Sequence, residues 1–418
     1  MNGLPGWMGT IEKYNDMALS SKFYESFKEY KYILICHLDA WVFRDELRKW
    51  IDKKYDYIGA PWFAMREDKF VDLEKLMCPQ GGNGGLCLRK VDKMIERLHI
   101  GPPSAKVDHI EISKAMGITK NDEVLVPDMT FVASPNAVEL CGAKPVLIDI
   151  EVKSLNIDQE KLKGKITKNT KAIMPVDFNG RSTDIFQLKE FAEKNNLLVI
   201  EDACHAIGSF YGTKHMGTVS NVGVFSFSTP KIITTGQGGM IVTNDKNIYE
   251  KCLSLKDFGR ENGAKRDMKR SFMHETIGYN FKFTEFQAAV GIAQMKKLKS
   301  RIKKKKNMFK HYKEFLSNIK KIEFIDTNIQ KMTPWMIDIL FSDNKIREEL
   351  INFLARNNIG TRIFYPPIHS LTPYKNDDKK FLISTDISKR GLWLPSSNTL
   401  TDNDLEFICK KIKEFFTN

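Results

Sequence analysis

Ordered cysteines and long apolar runs are what this 418-residue chain lacks, and its acidic residues are outnumbered by basic ones. Its seven cysteines, at 36, 78, 87, 141, 204, 252 and 409, form no C-x-x-C pair. That argues against a disulfide framework and against zinc, and it fits a reducing compartment. No apolar stretch approaches the roughly 20 residues that a spanning helix needs. The opening residues, MNGLPGWMGTIEKYND, lack a basic segment leading into an apolar core, so no secretory leader is expected and the protein is expected in the cytoplasm. Internal repeats are absent too. With 52 acidic against 65 basic residues, the formal charge is +13. Much of the excess is one run, Lys296, Lys297, Lys299, Arg301 and Lys303 to Lys306, on what reads as a long helix continuing from Thr284. Such a run usually marks a solvated helix face. No nucleic-acid motif accompanies it, so a nucleic-acid partner is not expected. A positive field would instead help gather a small anion.

What the chain does have is a carboxylate and a lysine in a particular setting. Glu201-Asp202-Ala203-Cys204-His205 closes an apolar strand, Leu197 to Ile200. A second apolar strand, Val222 to Phe227, runs into Ser226-Phe227-Ser228-Thr229-Pro230-Lys231. Next comes Thr234-Thr235-Gly236-Gln237-Gly238-Gly239, a loop whose glycines let the backbone approach a ligand closely. An Asp at a strand end usually caps a turn, and most lysines are solvated. Taken together, these parts suit pyridoxal phosphate (PLP). That cofactor needs an anion to keep its ring nitrogen protonated and a lysine amine to hold it and move a proton. Lys231 and Asp202 fill those roles, Ser226 offers a hydroxyl to the phosphate, and Phe131 can stack on the ring.

From Val124 the pattern alternates strand and helix. Strands are expected at Val124–Val126, Pro145–Ile150, Ala172–Val176, Leu197–Glu201 and Met240–Thr243, with helices at Ser134–Cys141 and Ile185–Asn195. This implies a mostly parallel sheet covered on both faces, with ligands bound off the carboxyl ends of the strands. A smaller C-terminal part follows, with a strand near Trp335–Phe341 and helices at Ile346–Asn357 and Asp402–Phe416. Residues 1–100 read differently. Strands at Tyr32–Cys36, Tyr57–Ala60 and Leu86–Leu88 are interrupted by a helix through Leu47, Trp50 and Ile51 and by a glycine-rich loop, Pro79 to Leu86. A helix over Val91–Leu98 ends the segment.

The segments IEDACHAIGSFYGTKHMGTVSNVGVFSFSTPKIITTGQGGMIVTND, GYNFKFTEFQAAVGIAQMKKL, GTRIFYPPIHSLTPY and RGLWLPSS closely resemble the DegT/StrS family of PLP-dependent sugar aminotransferases. The likeness covers roughly residues 109–418, and the wording is most similar to its perosamine-synthase branch. It implies a fold-type I α/β architecture with a large domain over 101–300 and a small one over 301–418. It also implies a homodimer with a shared active site, glutamate as amino donor and a nucleotide-linked keto-deoxy sugar as acceptor, as in cell-surface polysaccharide synthesis. In the family pattern His205 falls beside the ring hydroxyl, and Asn280 of GYNFKF reaches the phosphate of the neighbouring subunit. Lys282 stands where arginine is frequent. The retained Lys231 favours transamination over the dehydratases of the family, which carry histidine there. The combination YILICHLDAWVFRDEL, YDYIGAPWF and GGNGGLCLRK in the first hundred residues resembles a little-characterised family related to GT-A glycosyltransferases, with Asp39 at the position nearest a sugar-nucleotide diphosphate.

One departure stands out. Family members carry a Gly-Thr dipeptide that cradles the phosphate at a helix N-terminus. The equivalent place here, near Ser104-Ala105-Lys106, has none. The expectation is therefore an aminotransferase with weakened cofactor retention. The alternatives are a scaffold that keeps the fold, or a glycosyltransferase-like activity of the first hundred residues.

Overall fold

The computed structural model describes residues 32–36, 57–60, 83–90, 113–261 and 272–417. The chain divides into two compact units, Met1–Ser104 and Ala105–Asn418. In the first unit, β1 (Tyr32–Cys36), β2 (Tyr57–Ala60) and β3 (Asn83–Lys90) form an antiparallel sheet in the order β1-β3-β2. The third strand starts earlier than its apolar core suggests, at Asn83, so Gly84 and Gly85 lie in a strand instead of a loop. The β2–β3 register shifts between Gly59 and Ala60 to absorb them. Asp39, the helices expected through Leu47 and over Val91–Leu98, and Ser104-Ala105-Lys106 lie outside the described residues.

The second unit is built on six strands in the order β11-β10-β7-β6-β4-β5. They are β4 (Glu123–Pro127), β5 (Lys144–Ile148), β6 (Thr170–Ile173), β7 (Leu198–Asp202), β10 (Val222–Ser226) and β11 (Gly239–Thr243). A small hairpin, β8 (Phe210–Tyr211) with β9 (Lys214–His215), stands apart. All neighbours in the large sheet are parallel except β10 and β11. Consecutive residues of one strand are buried on opposite faces, as a sheet covered on both sides requires. Val124 and Val126 join Ile200, Val222 and Val224 against α3 (Lys246–Leu255) through Ile248 and Leu255. Leu125, Ile173 and Val199 pack on the other side against Ile185, Leu188 and Ala192 of α2 (Ile185–Lys194). Aspartates start both helices: Asp184 accepts from the amides of Phe186 and Gln187, and Asp245 from those of Asn247 and Ile248, satisfying donors that the helix itself leaves open. A third helix, α1 (Ala133–Leu140), follows β4.

The long helix expected from Thr284 is two helices. A capping box between Thr284 and Gln287 starts α4 (Glu285–Met295), which ends at Lys296, and α5 (Leu298–Leu316) begins after Lys297. The break lets α5 turn its apolar positions Met308, Phe309, Tyr312 and Leu316 into the core of the second sheet. Nor is the lysine run a wholly solvated face, because Lys305 is buried. The second sheet has the order β12-β13-β15-β14, comprising β12 (Ile322–Phe324), β13 (Ile337–Phe341), β14 (Arg362–Ile363) and β15 (Gly391–Leu394), all antiparallel. Helices α6 (Asn344–Arg356), α7 (Leu382–Arg390) and α8 (Asp402–Thr417) complete this layer. The two sheets are joined by a fully buried ion pair, Arg181 Nη2 to Asp338 Oδ2 at 2.5 Å, with Asn179 Nδ2 donating to the same carboxylate at 2.7 Å. The result is the expected α/β architecture.

Candidate active site

Asp202 is the last residue of β7, at the carboxyl end of the parallel strands, and is buried. Its Oδ2 accepts from Ser134 Oγ at 2.8 Å and its Oδ1 from the Cys204 amide at 3.2 Å. Ser134 lies in the first turn of α1, three residues after Phe131. The hydrogen bond therefore ties the β4–α1 turn, where Phe131 sits, to the end of β7. The neighbouring Glu201 points the other way and accepts from the Gly217 amide and Ser220 Oγ. A third acid, Asp177, is held well above the usual carboxylate range, first by burial and then by Glu201, which limits the negative charge crowded behind Asp202.

Lys231 follows Ser226, the last residue of β10, on a turn closed by its own amide donating to the Ser228 carbonyl at 3.0 Å. Ser226 Oγ donates to Ser228 Oγ at 3.1 Å and accepts from the Ser228 amide at 3.3 Å. The loop that follows is pinned by the Phe227 amide donating to Gly238 O, by the Thr235 amide donating to Phe227 O, and by Arg301 Nη1 donating to Ile232 O at 2.9 Å. Lys231 is only 8% exposed, and its Nζ lies 4.2 Å from the centroid of the Trp335 ring. That indole donates from Nε1 to the Pro230 carbonyl at 2.7 Å and packs at 4.1 Å against the His205 ring. His205 Nδ1 accepts from the Asn179 amide at 3.4 Å. Tyr365 continues the chain of rings, 6.4 Å from His205 and 5.4 Å from Phe131. Burial raises its hydroxyl pKa, so it stays protonated.

The structure thus draws the buried Asp202, His205 and Lys231 and the half-buried Phe131 into one neighbourhood, with Ser226 at the foot of the lysine turn. Asn280 is placed elsewhere: it is exposed and pairs through its backbone with Asp257, to which Lys282 Nζ also bonds at 2.9 Å. Trp335, Tyr365 and Ser134 were missed as site residues by sequence reasoning. Ser134 read only as a helix start and Trp335 only as a strand start. Nothing local marks either, because their partners lie far away in the chain.

Residues 109–413 match the DegT/DnrJ/EryC1/StrS aminotransferase family. The chain belongs to that family. Its relatives include the GDP-perosamine synthases of Escherichia coli O157:H7 and Vibrio cholerae, each 37% identical. The alignments cover 73% and 74% of this chain and 82% and 83% of those proteins. A sugar aminotransferase of Streptococcus pneumoniae, solved in its PLP form, shares the fold with a TM-score of 0.68 at 23% identity over 73% of this chain and 84% of that one. Residues 4–133 match a family of unknown function (DUF5672), overlapping the aminotransferase match over 109–133. That match assigns no activity to the first unit.

Proposed function

We propose that this member of the family uses PLP to move an amino group from glutamate to a nucleotide-linked 4-keto-6-deoxy sugar, with Lys231 and Asp202 as its catalytic residues. The observation that carries the reading is two buried groups following neighbouring strands: a carboxylate at the end of β7, held by Ser134 and the Cys204 amide, and a lysine on the turn after β10, over an aromatic ring. This donor set fits the cofactor. Asp202 would face the ring nitrogen, His205 the ring hydroxyl, Phe131 the ring face, and Ser226 with the glycine loop the phosphate. When bound, PLP supplies an electron sink for the carbon that loses or gains the amino group. Lys231 would hold the cofactor through Nζ and would carry the proton at that same atom. The carboxylate of Asp202, oriented by Ser134 and the Cys204 amide, would supply the anion that the ring nitrogen needs to stay protonated. The rings of Phe131, Tyr365 and Trp335 would help keep water from the reacting carbon.

The sugar assignment is supported by the two perosamine synthases among the relatives. A second copy of the chain is proposed to complete the site through Asn280. In support, Phe272 and Ile277 just before it are 85% and 84% exposed, and Met273, Phe283, Ile292 and Met295 are exposed nearby. A soluble monomer rarely leaves so much apolar surface in one region. Among the described residues no helix is long and apolar enough to cross a membrane.

The test is optical. Protein reconstituted with PLP should be yellow, glutamate should bleach it, and a nucleotide-linked 4-keto-6-deoxy sugar should restore the colour. Bleaching without restoration by any such sugar would leave the transaminase and remove the proposed acceptor. A colourless protein would remove both.

A further inference from the structure

Lys305 departs from the rest of the basic run. It sits on α5 at 5% exposure, and its Nζ donates to two backbone carbonyls, Trp335 O at 2.7 Å and Ser396 O. Trp335 lies two residues before β13 and Ser396 two residues after β15, so one amine fastens the ends of two neighbouring strands to one helix. Two turns further along the same face of α5, Tyr312 Oη donates to Pro395 O at 2.9 Å. The Ser396 hydroxyl lies 3.2 Å from Met336 Sδ, closing the arrangement on the residue after Trp335. Trp335 is in turn the ring on which Lys231 and His205 rest, and its indole N–H holds the carbonyl of Pro230, the residue before Lys231.

We infer that Lys305 is a positioning residue for Lys231: by fixing the Trp335 main chain it sets where the indole lies, and the indole sets the reactivity of the Lys231 amine. Its bearing on catalysis rests on the reading of Lys231 given above, whereas the coupling between the two lysines does not. A cation over an indole face is attracted to it, strongly so when desolvated. A displaced ring therefore loosens one contact of an amine that is only 8% exposed and opens it to reagent. The support does not depend on charge at Lys305 itself. Burial pushes that amine down to about 7, and the neutral form still carries two N–H groups for two carbonyls. Without them, two buried acceptors lose their donor, a costly state that drives the strand ends to shift.

Reductive methylation with formaldehyde and cyanoborohydride reads this coupling without cofactor or substrate. The rate at Lys231 is followed by peptide mass spectrometry against the exposed Lys246 as internal reference. Lys305→Met should raise the Lys231 to Lys246 ratio at pH 7 at least threefold. It should also alter the Trp335 emission, taken as the difference from the matching Trp335→Phe protein. Lys305→Arg, which again offers donors at that depth, should bring both back toward wild type. In a Trp335→Leu background, Lys305→Met should have no further effect. Lys305→Gln, polar but too short to reach both carbonyls, carries the same expectation should the methionine variant fail to fold. An unchanged ratio in a folded variant, or an equal rise with Trp335 already replaced, overturns the inference. Failure of Lys231 to take up PLP would bear on the proposed function and leave this coupling to be decided by the methylation alone.

Discussion

At Asp202 charge and shape can be separated. Asp202→Asn keeps the volume and the contact with Ser134 while removing the anion. Breaking a buried charge pair by removing one partner costs about 3–5 kcal/mol, and each ~1.4 kcal/mol is tenfold. Turnover should therefore fall by a factor of about one hundred to a few thousand, even under PLP saturation. Steady-state rates within tenfold of wild type would show that the charge is not used. Lys305 makes a separate statement about stability. Burial lowers it to about 7 in the folded chain, against a starting value of 10.5. Between those values the unfolded chain keeps a proton that the folded chain has released. Stability from this group therefore rises with pH from about 7 to about 10 and is lost as pH falls through 7. Denaturant unfolding of wild type and Lys305→Met at pH 7 and pH 9.5 checks the sign. The wild-type advantage should grow by about 3 kcal/mol at the higher pH, and a constant difference would mean that Lys305 is not titrating there.

At the scale of elements, the sheet depends on places where chain approaches chain with no room for a side chain. A Cβ on Gly223, in β10, would stand 1.7 Å from the Gly217 carbonyl oxygen. Gly223→Ala should therefore destabilise by more than about 3 kcal/mol or leave no soluble protein. A cooperative melt within a few degrees of wild type would show that the turn at Gly217 can move aside. The same elements show what the sequence makes legible. The strands β4, β7 and β10 follow from short apolar runs closed by turn residues, and Asp202 and Lys231 stand out because each sits at the end of such a run. Local pattern also places α2 and α6. It does not reveal that α4 and α5 are separate helices, because no proline or glycine falls at Lys296 and Lys297. The break is set by the second sheet, which draws Met308, Phe309 and Tyr312 inward. Lys305 is hidden for the same reason: in a run of lysines, only the packing of α5 selects which one is buried. Trp335 and Ser134 become site residues through contacts with segments distant in sequence, which no local pattern contains.

For the whole molecule, the exposed position of Asn280 and the apolar residues exposed around it are the ground for proposing that a second chain completes the active site. The expectation can be checked by complementation. Lys231→Ala and Asn280→Ala proteins should each be inactive or nearly so alone. Mixed and allowed to exchange subunits, they should recover about a quarter of wild-type activity, because half of a random mixture is hybrid dimer and each hybrid keeps one intact site. No recovery despite proven exchange would place Asn280 outside the partner's site. The central claim is narrower and rests on one atom, the Nζ of Lys231. Borohydride reduction of the PLP-loaded chain, followed by peptide mapping, tests it most directly. The phosphopyridoxyl label should fall on Lys231 in near-stoichiometric yield and vanish in Lys231→Ala, whereas a label on another lysine, with Lys231 unmodified, would contradict the assignment.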